Sequence, residues 1–175
     1  MTPISIDADP RNPDPEPDPE SVARTIALRL LERAPRTRSE LATAMTRRAV
    51  PEDVIEQVLD RFGEVGLIDD AAFAAAWVDS RHHGRGLGRR ALAAELRRKG
   101  VAEEVAADAL SAVTTDDEVA AAEQLVRRRL PSMSALPREV QTRRLVSMLG
   151  RKGFGASLAY RVVTTAIDEA TSAVR

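Results

Sequence analysis

Few side chains in this 175-residue chain are suited to covalent chemistry. His82 and His83 are the only histidines, and adjacent positions on a helix point apart rather than converging on one ligand. They read as two exposed polar residues near a helix end, not as a metal site. Carboxylates cluster as Asp69-Asp70, Glu103-Glu104 and Asp116-Asp117-Glu118. Each cluster falls in a predicted first helical turn, where capping accounts for it without acid–base work. Cysteine is absent, which excludes thiol nucleophiles, disulfides and thiolate zinc sites. The stretch Gly84-Arg85-Gly86-Leu87-Gly88 lacks the G-x-x-x-x-G-K-S/T order of a phosphate loop and follows a helix rather than a strand. Its glycines are expected to allow a tight connection that gathers Arg81, Arg85, Arg89 and Arg90. Guanidinium forks recognise carboxylates and phosphates in bidentate fashion, so the chemistry on offer is binding. No catalytic residue, metal or cofactor is expected.

The formal net charge of −1 conceals an uneven distribution. Residues 1–22 carry six acidic side chains against Arg11, while seven basic residues face Glu95 alone between Arg81 and Lys99. Between Arg127 and Arg161 nine basic residues face only Glu139. Arg97, Arg98, Lys99, Arg143, Arg144, Arg151 and Lys152 therefore join the central arginines as candidate contacts for a polyanion or an acidic surface. The competing reading is a set of solvated basic helix faces with no specific task. Aromatic residues make up 3% of the chain, too few for the stacking platforms of single-strand binders.

Six of the ten prolines lie in the first nineteen residues, alternating with Asp, Glu and Asn. Residues 1–20 are expected to form a disordered acidic tail, because they bring too little apolar area to offset ordering. The start lacks the basic and apolar regions of a secretory signal. The longest apolar run, Ala71 to Val78, is far shorter than the roughly 20 residues a bilayer span requires. A soluble, cytoplasmic monomer is the expectation.

From Ser21 onward the pattern is helical. Val22, Ile26 and Leu30 share one face, and Thr37-Arg38-Ser39-Glu40 has the form of a capping box. Pro51 suits the first position of the next helix, which carries Val54, Ile55, Val58, Leu59 and Phe62. Leu41, Met45, Arg48, Ala49 and Val50 correspond at a constant offset to Leu92, Leu96, Lys99, Gly100 and Val101, and again to Leu145, Leu149, Lys152, Gly153 and Phe154. The motif occurs three times. Gly100 and Gly153 stand where a left-handed helix cap would need them; Ala49 departs from that pattern, so the first join is expected to differ in shape. A further helix precedes each copy. Asp69 caps one with the face Phe73, Ala76, Trp77 and Ser80, and Thr115-Asp116-Asp117-Glu118 opens another. The fold class is all-α, with three tandem three-helix repeats (21–66, 67–113 and 114–175) forming an elongated, curved array. A helix-turn-helix reading of the joins is disfavoured, because Glu52, Asp53, Glu56, Glu103, Glu104 and Asp108 are acidic where bases would be read.

The stretch Gly66-Leu67-Ile68-Asp69-Asp70-Ala71-Ala72-Phe73, continuing through Trp77-Val78, Arg81, Gly86-Leu87-Gly88-Arg89-Arg90, Glu95-Leu96 and Lys99-Gly100-Val101, resembles the signature of the RecX family of recombination regulators. The likeness extends through Ser39-Glu40-Leu41 and Arg151-Lys152-Gly153-Phe154. It implies three tandem three-helix repeats and no catalytic residue. It also implies a RecA recombinase filament as partner, whose ATP hydrolysis, strand exchange and co-protease activity would be limited, with DNA in the filament as a second contact. The alternative is a stand-alone DNA binder working through phosphate contacts, which would be strongly salt-dependent.

Overall fold

The computed structural model describes residues 18–173. Among these no strand occurs, and nine α-helices form three consecutive triplets. The first holds α1 (Pro19–Leu31), α2 (Arg38–Thr46) and α3 (Glu52–Glu64); the second α4 (Asp70–Arg85), α5 (Arg89–Arg98) and α6 (Glu103–Ser111). The third holds α7 (Thr115–Arg129), a 3-10 turn (Leu130–Met133), α8 (Arg138–Arg151) and α9 (Ala156–Ala173). Every helix pair in extensive contact lies within one triplet, and each triplet has its own apolar cluster. The second helix of each contributes two fully buried side chains, Leu41 and Met45, Leu92 and Leu96, Leu145 and Leu149. Each such side chain contributes about 1.5–3 kcal/mol by leaving water.

Helix starts follow local chemistry with small shifts from expectation. Asp18 caps α1, so the helix begins at Pro19 rather than Ser21; the rest of the expected tail, residues 1–17, lies outside the described residues. The Thr37–Glu40 capping box forms as expected, and Pro51 stands just before α3 as its cap rather than in its first turn. The box at α7 is displaced by one residue. Thr114, not Thr115, is the cap, and Asp117 accepts hydrogen bonds from its hydroxyl at 2.7 Å and its amide at 2.9 Å.

The face of α4 also differs from expectation. Ala74, Val78 and His82 are buried, whereas Phe73 and Trp77 are half-buried and Ala76 and Ser80 are exposed. His82, expected at the surface, is 5% exposed, with Nδ1 2.9 Å from the Leu87 carbonyl oxygen. That contact braces the turn made by Gly86 at φ 60°.

The three joins after α2, α5 and α8 have the same shape. Ala49, Gly100 and Gly153 adopt φ of 57°, 72° and 91°, and in each case the next amide donates to a carbonyl five residues back. The bonds run from Val50 to Met45, Val101 to Leu96 and Phe154 to Leu149, at 3.3, 3.1 and 3.1 Å. The expected difference at Ala49 is therefore not found. Glycine is required at the other two positions for a second reason. A Cβ on Gly100 would lie 2.3 Å from the Ser39 Cβ, and one on Gly153 would lie 2.3 Å from the Ala91 backbone nitrogen. Ala49 meets no such neighbour; it is exposed.

Those close approaches are the seams between triplets. The Thr37 hydroxyl donates to the Lys99 carbonyl at 2.6 Å, joining the start of α2 to the end of α5. The Gly88 amide donates to the Lys152 carbonyl at 2.8 Å and the Arg90 amide to the Gly153 carbonyl at 3.3 Å, joining α5 to α8 in the same sense. Orphan carbonyls at one helix end thus satisfy orphan donors at the next helix start, with the dipoles head to tail. Two carboxylates expected only to serve their own helices reach across instead. Asp70 accepts from the Arg38 amide at 2.9 Å, and Glu118 from the Arg89 amide at 3.0 Å.

Gly153→Ala should destabilise the protein by roughly 3–5 kcal/mol, combining left-handed strain with a backbone clash, and Ala49→Gly should stabilise it by up to about 1 kcal/mol. Thermal unfolding of the two variants checks both signs. Hydrogen bonds from Thr114 hold the Asp117 carboxyl below its ordinary value of 3.8. Its contribution to stability is therefore complete above that value and lost as acid protonates the folded state. Asp117→Asn should lower Tm at neutral pH and match the native protein in acid, which a pH series of melting curves would test.

Candidate functional site

The basic residues separate into two groups by what holds them. Lys99 is part of the first seam: its ammonium lies 2.7 Å from Glu40 Oε1 and 4.7 Å from the Trp77 ring centre, with a quarter of its side chain exposed. Lys152 is part of the second, donating to the Arg85 carbonyl at 2.8 Å. Arg81 is turned onto Trp77, 4.2 Å from the ring centre, and lies 3.6 Å from Glu95. The same carboxylate accepts the Trp77 indole N–H at 2.8 Å. These three cations are committed to holding α4, α5 and their neighbours in place.

The second group is exposed. Arg85, Arg89 and Arg90 surround the bend between α4 and α5, without Arg81, which faces away along α4. Arg97 and Arg98 lie at the end of α5. On α8, Arg143, Arg144 and Arg151 line a shallow groove of about 500 Å³ together with Arg129, Ser147 and Met148. Only Arg151 among the three is engaged, donating to the Ser147 hydroxyl at 2.7 Å. Among the described residues, none of these arginines faces a carboxylate within ion-pair distance in its own helix, as Arg127 faces Glu123. Arg129 comes into this set through the fold, since it stands on α7.

Repeat register adds one more member. The offset that aligns Met45 with Leu96 and Leu149 also aligns Arg47, Arg98 and Arg151, all exposed at the end of the second helix of a triplet. Because the second helices are stacked end to end, these guanidinium groups recur once per triplet. Arg47 was discoverable from the repeat alone, but it lies outside the two densest basic stretches. Among the described residues no group of three metal-ligating side chains occurs, and no helix is long and apolar enough to cross a membrane.

Three tandem helical triplets with exposed arginines along them define a protein of the helical-repeat class. Residues 23–62, 69–110 and 116–163 match the first, second and third three-helix domains of RecX. The chain is 58% identical over 146 residues to the regulatory protein RecX of Thermobifida fusca, covering 83% of this chain and 79% of that one. Identity to the regulatory protein RecX of Streptomyces coelicolor is 52% over 156 residues, covering 89% and 83%. The fold superposes on the crystal structure of RecX from Lactobacillus salivarius with a TM-score of 0.76 and 24% identity, over 87% of this chain and 96% of that one. The chain belongs to the RecX family of regulatory proteins.

Neighbouring residues Lys99 and Arg98 should behave oppositely. Lys99→Met should destabilise by about 1–3 kcal/mol through loss of a charge-assisted hydrogen bond, and Arg98→Ala should stay within about 0.5 kcal/mol. Chemical denaturation of the pair would measure both.

Proposed function

We propose that this protein is a non-enzymatic regulator that binds the RecA recombinase filament and limits its ATP hydrolysis, strand exchange and co-protease activity. The observation that carries this reading is the recurrence of Arg47, Arg98 and Arg151 at one position in each of three stacked triplets. A ligand with a repeating surface, such as a filament of identical subunits on DNA, can meet such a series in register. Arg85, Arg89, Arg90, Arg97, Arg143 and Arg144 widen the contact, and their guanidinium forks suit carboxylates of the protein partner or phosphates of the DNA it holds. Lys99, Lys152 and Arg81 act indirectly by fixing the seams and α4. The protein works as a monomer in the cytoplasm, where filament and DNA are found.

In an assay of single-stranded-DNA-dependent ATP hydrolysis by RecA, the protein should suppress the rate well below one copy per RecA subunit. Replacing Arg98, Arg143, Arg144 and Arg151 by Ala should weaken that suppression with little change in Tm, since exposed charges contribute little to stability. Inhibition seen only at ratios that coat the DNA, falling steeply with salt, would instead identify a stand-alone DNA binder.

A further inference from the structure

Four other grooves mark the described surface, and each counts a carboxylate in its lining, Glu169, Asp69, Glu103 and Asp117 in turn. The groove formed by the end of α7, the 3-10 turn and α8 has none. Its charged members are Arg129, Arg143, Arg144 and Arg151, four guanidinium groups around about 500 Å³. Elsewhere this chain pairs its arginines: Arg24 with Glu20, Arg38 with Glu56 and Asp60, Arg127 with Glu123 and Arg138 with Asp168. Among the described residues no carboxylate forms an ion pair with the four in the groove, although Glu139 stands one turn before Arg143 on α8.

The helices bring these cations to one place. Arg144, Met148 and Arg151 follow one another at four- and three-residue spacing and so share a face of α8, with Arg143 beside them. From Arg144 to Arg151 is about 10 Å of helix axis. Arg129, the last residue of α7, comes from the other helix. The guanidinium groups thus approach a short groove from two elements instead of following one line across the surface. The Ser147 hydroxyl, which accepts from Arg151 at 2.7 Å, keeps its own hydrogen to donate.

Like charges held together without counter-charge repel, and a ligand that concentrates negative charge in a small volume relieves all of them at once. A protein surface supplies carboxylates one per side chain, and gathering several opposite this groove would impose the same repulsion on the partner. A triphosphate carries its charges on one short covalent chain, with oxygens that guanidinium forks grasp in pairs. Small-ligand sites enclose about 300–1,000 Å³, so the groove has the size for one such ion. We propose that it binds a compact oligophosphate, either the triphosphate of a nucleotide or an inorganic polyphosphate chain. The four arginines hold the phosphates and Ser147 adds a donor. The site shares Arg143, Arg144 and Arg151 with the filament contact proposed above but does not depend on it.

Isothermal titration calorimetry of the full chain with inorganic tripolyphosphate, in the absence of RecA, tests the site. One equivalent should bind with Kd below about 1 mM at low salt, and orthophosphate about tenfold more weakly, because a single phosphate meets only part of the set. Arg129→Ala/Arg143→Ala/Arg144→Ala should weaken tripolyphosphate binding about tenfold or more with helicity unchanged. Arg29→Ala/Arg33→Ala/Arg61→Ala removes the same charge from exposed positions of the first triplet and should change binding less than about twofold. ATP binding tighter than tripolyphosphate would identify a nucleotide whose base rests on Met148; equal binding would identify the phosphate chain alone. No saturable binding, or equal loss in the two triple variants, would overturn the proposal. So would binding of a short single-stranded oligonucleotide but not of tripolyphosphate, which would assign these arginines to a DNA strand. A protein that binds tripolyphosphate yet leaves RecA unaffected loses only the filament reading, and the reverse result loses only this one.

Discussion

The ends of helices leave polar backbone groups that must find partners, and in this protein they find them in one another. The carbonyls of Lys99, Lys152 and Gly153 are satisfied by the Thr37 hydroxyl and by the Gly88 and Arg90 amides. Because these bonds join the end of one second helix to the start of the previous one, each triplet fixes the position of the next without sharing its apolar core. The contact is small and polar, so the triplets stay in series instead of collapsing into one globule. Steric room is as decisive as hydrogen bonding: backbone and side chain come so close at Gly100 and Gly153 that no Cβ fits. Ala49 closes the same kind of turn with no earlier triplet against it, and it keeps its methyl group.

This arrangement divides the cations by depth. Those nearest the seams are drawn into it, as Lys99 to Glu40 and Lys152 to the Arg85 carbonyl. The side chains one residue earlier, Arg98 and Arg151, turn outward and stay available. The exposed set recurs in all three triplets as Arg47, Arg98 and Arg151, whereas the seam set has two members, because Arg48, the counterpart of Lys99 and Lys152 in the first triplet, has no earlier triplet against it and is exposed. Membership of the RecX family of regulatory proteins rests on all three triplets, each of which matches one of the family's three-helix domains.

Much of the architecture was legible in the chain. The recurrence of Leu–x–x–x–Leu/Met, a basic residue and a turn residue identified three triplets, and the Thr37–Glu40 box located α2 because capping depends on residues within one turn. Trp77 and His82 were misplaced for a common reason. Both lie on α4, where alanines cover nearly the whole circumference, so apolar periodicity could not say which side faced the core. Packing against α6 buried the side carrying Ala74 and Val78, His82 lies beside Asp117 and Ala121 of α7, and Trp77 is left on the flank. Asp70 and Glu118 had an adequate local explanation as first-turn acids, which concealed their partners on neighbouring triplets.

What the amino-acid order determined by itself were the properties set within a few residues of chain: helix type, caps, turn positions, the threefold repeat and the total of basic side chains. Tertiary structure alone decided which of those side chains are free. Lys99 and Arg98 are adjacent and alike in charge, yet one is held between a carboxylate and an aromatic ring while the other faces water. The difference arises because a helix sends successive side chains about 100° apart, and only the docking of the next triplet determines which direction is occupied.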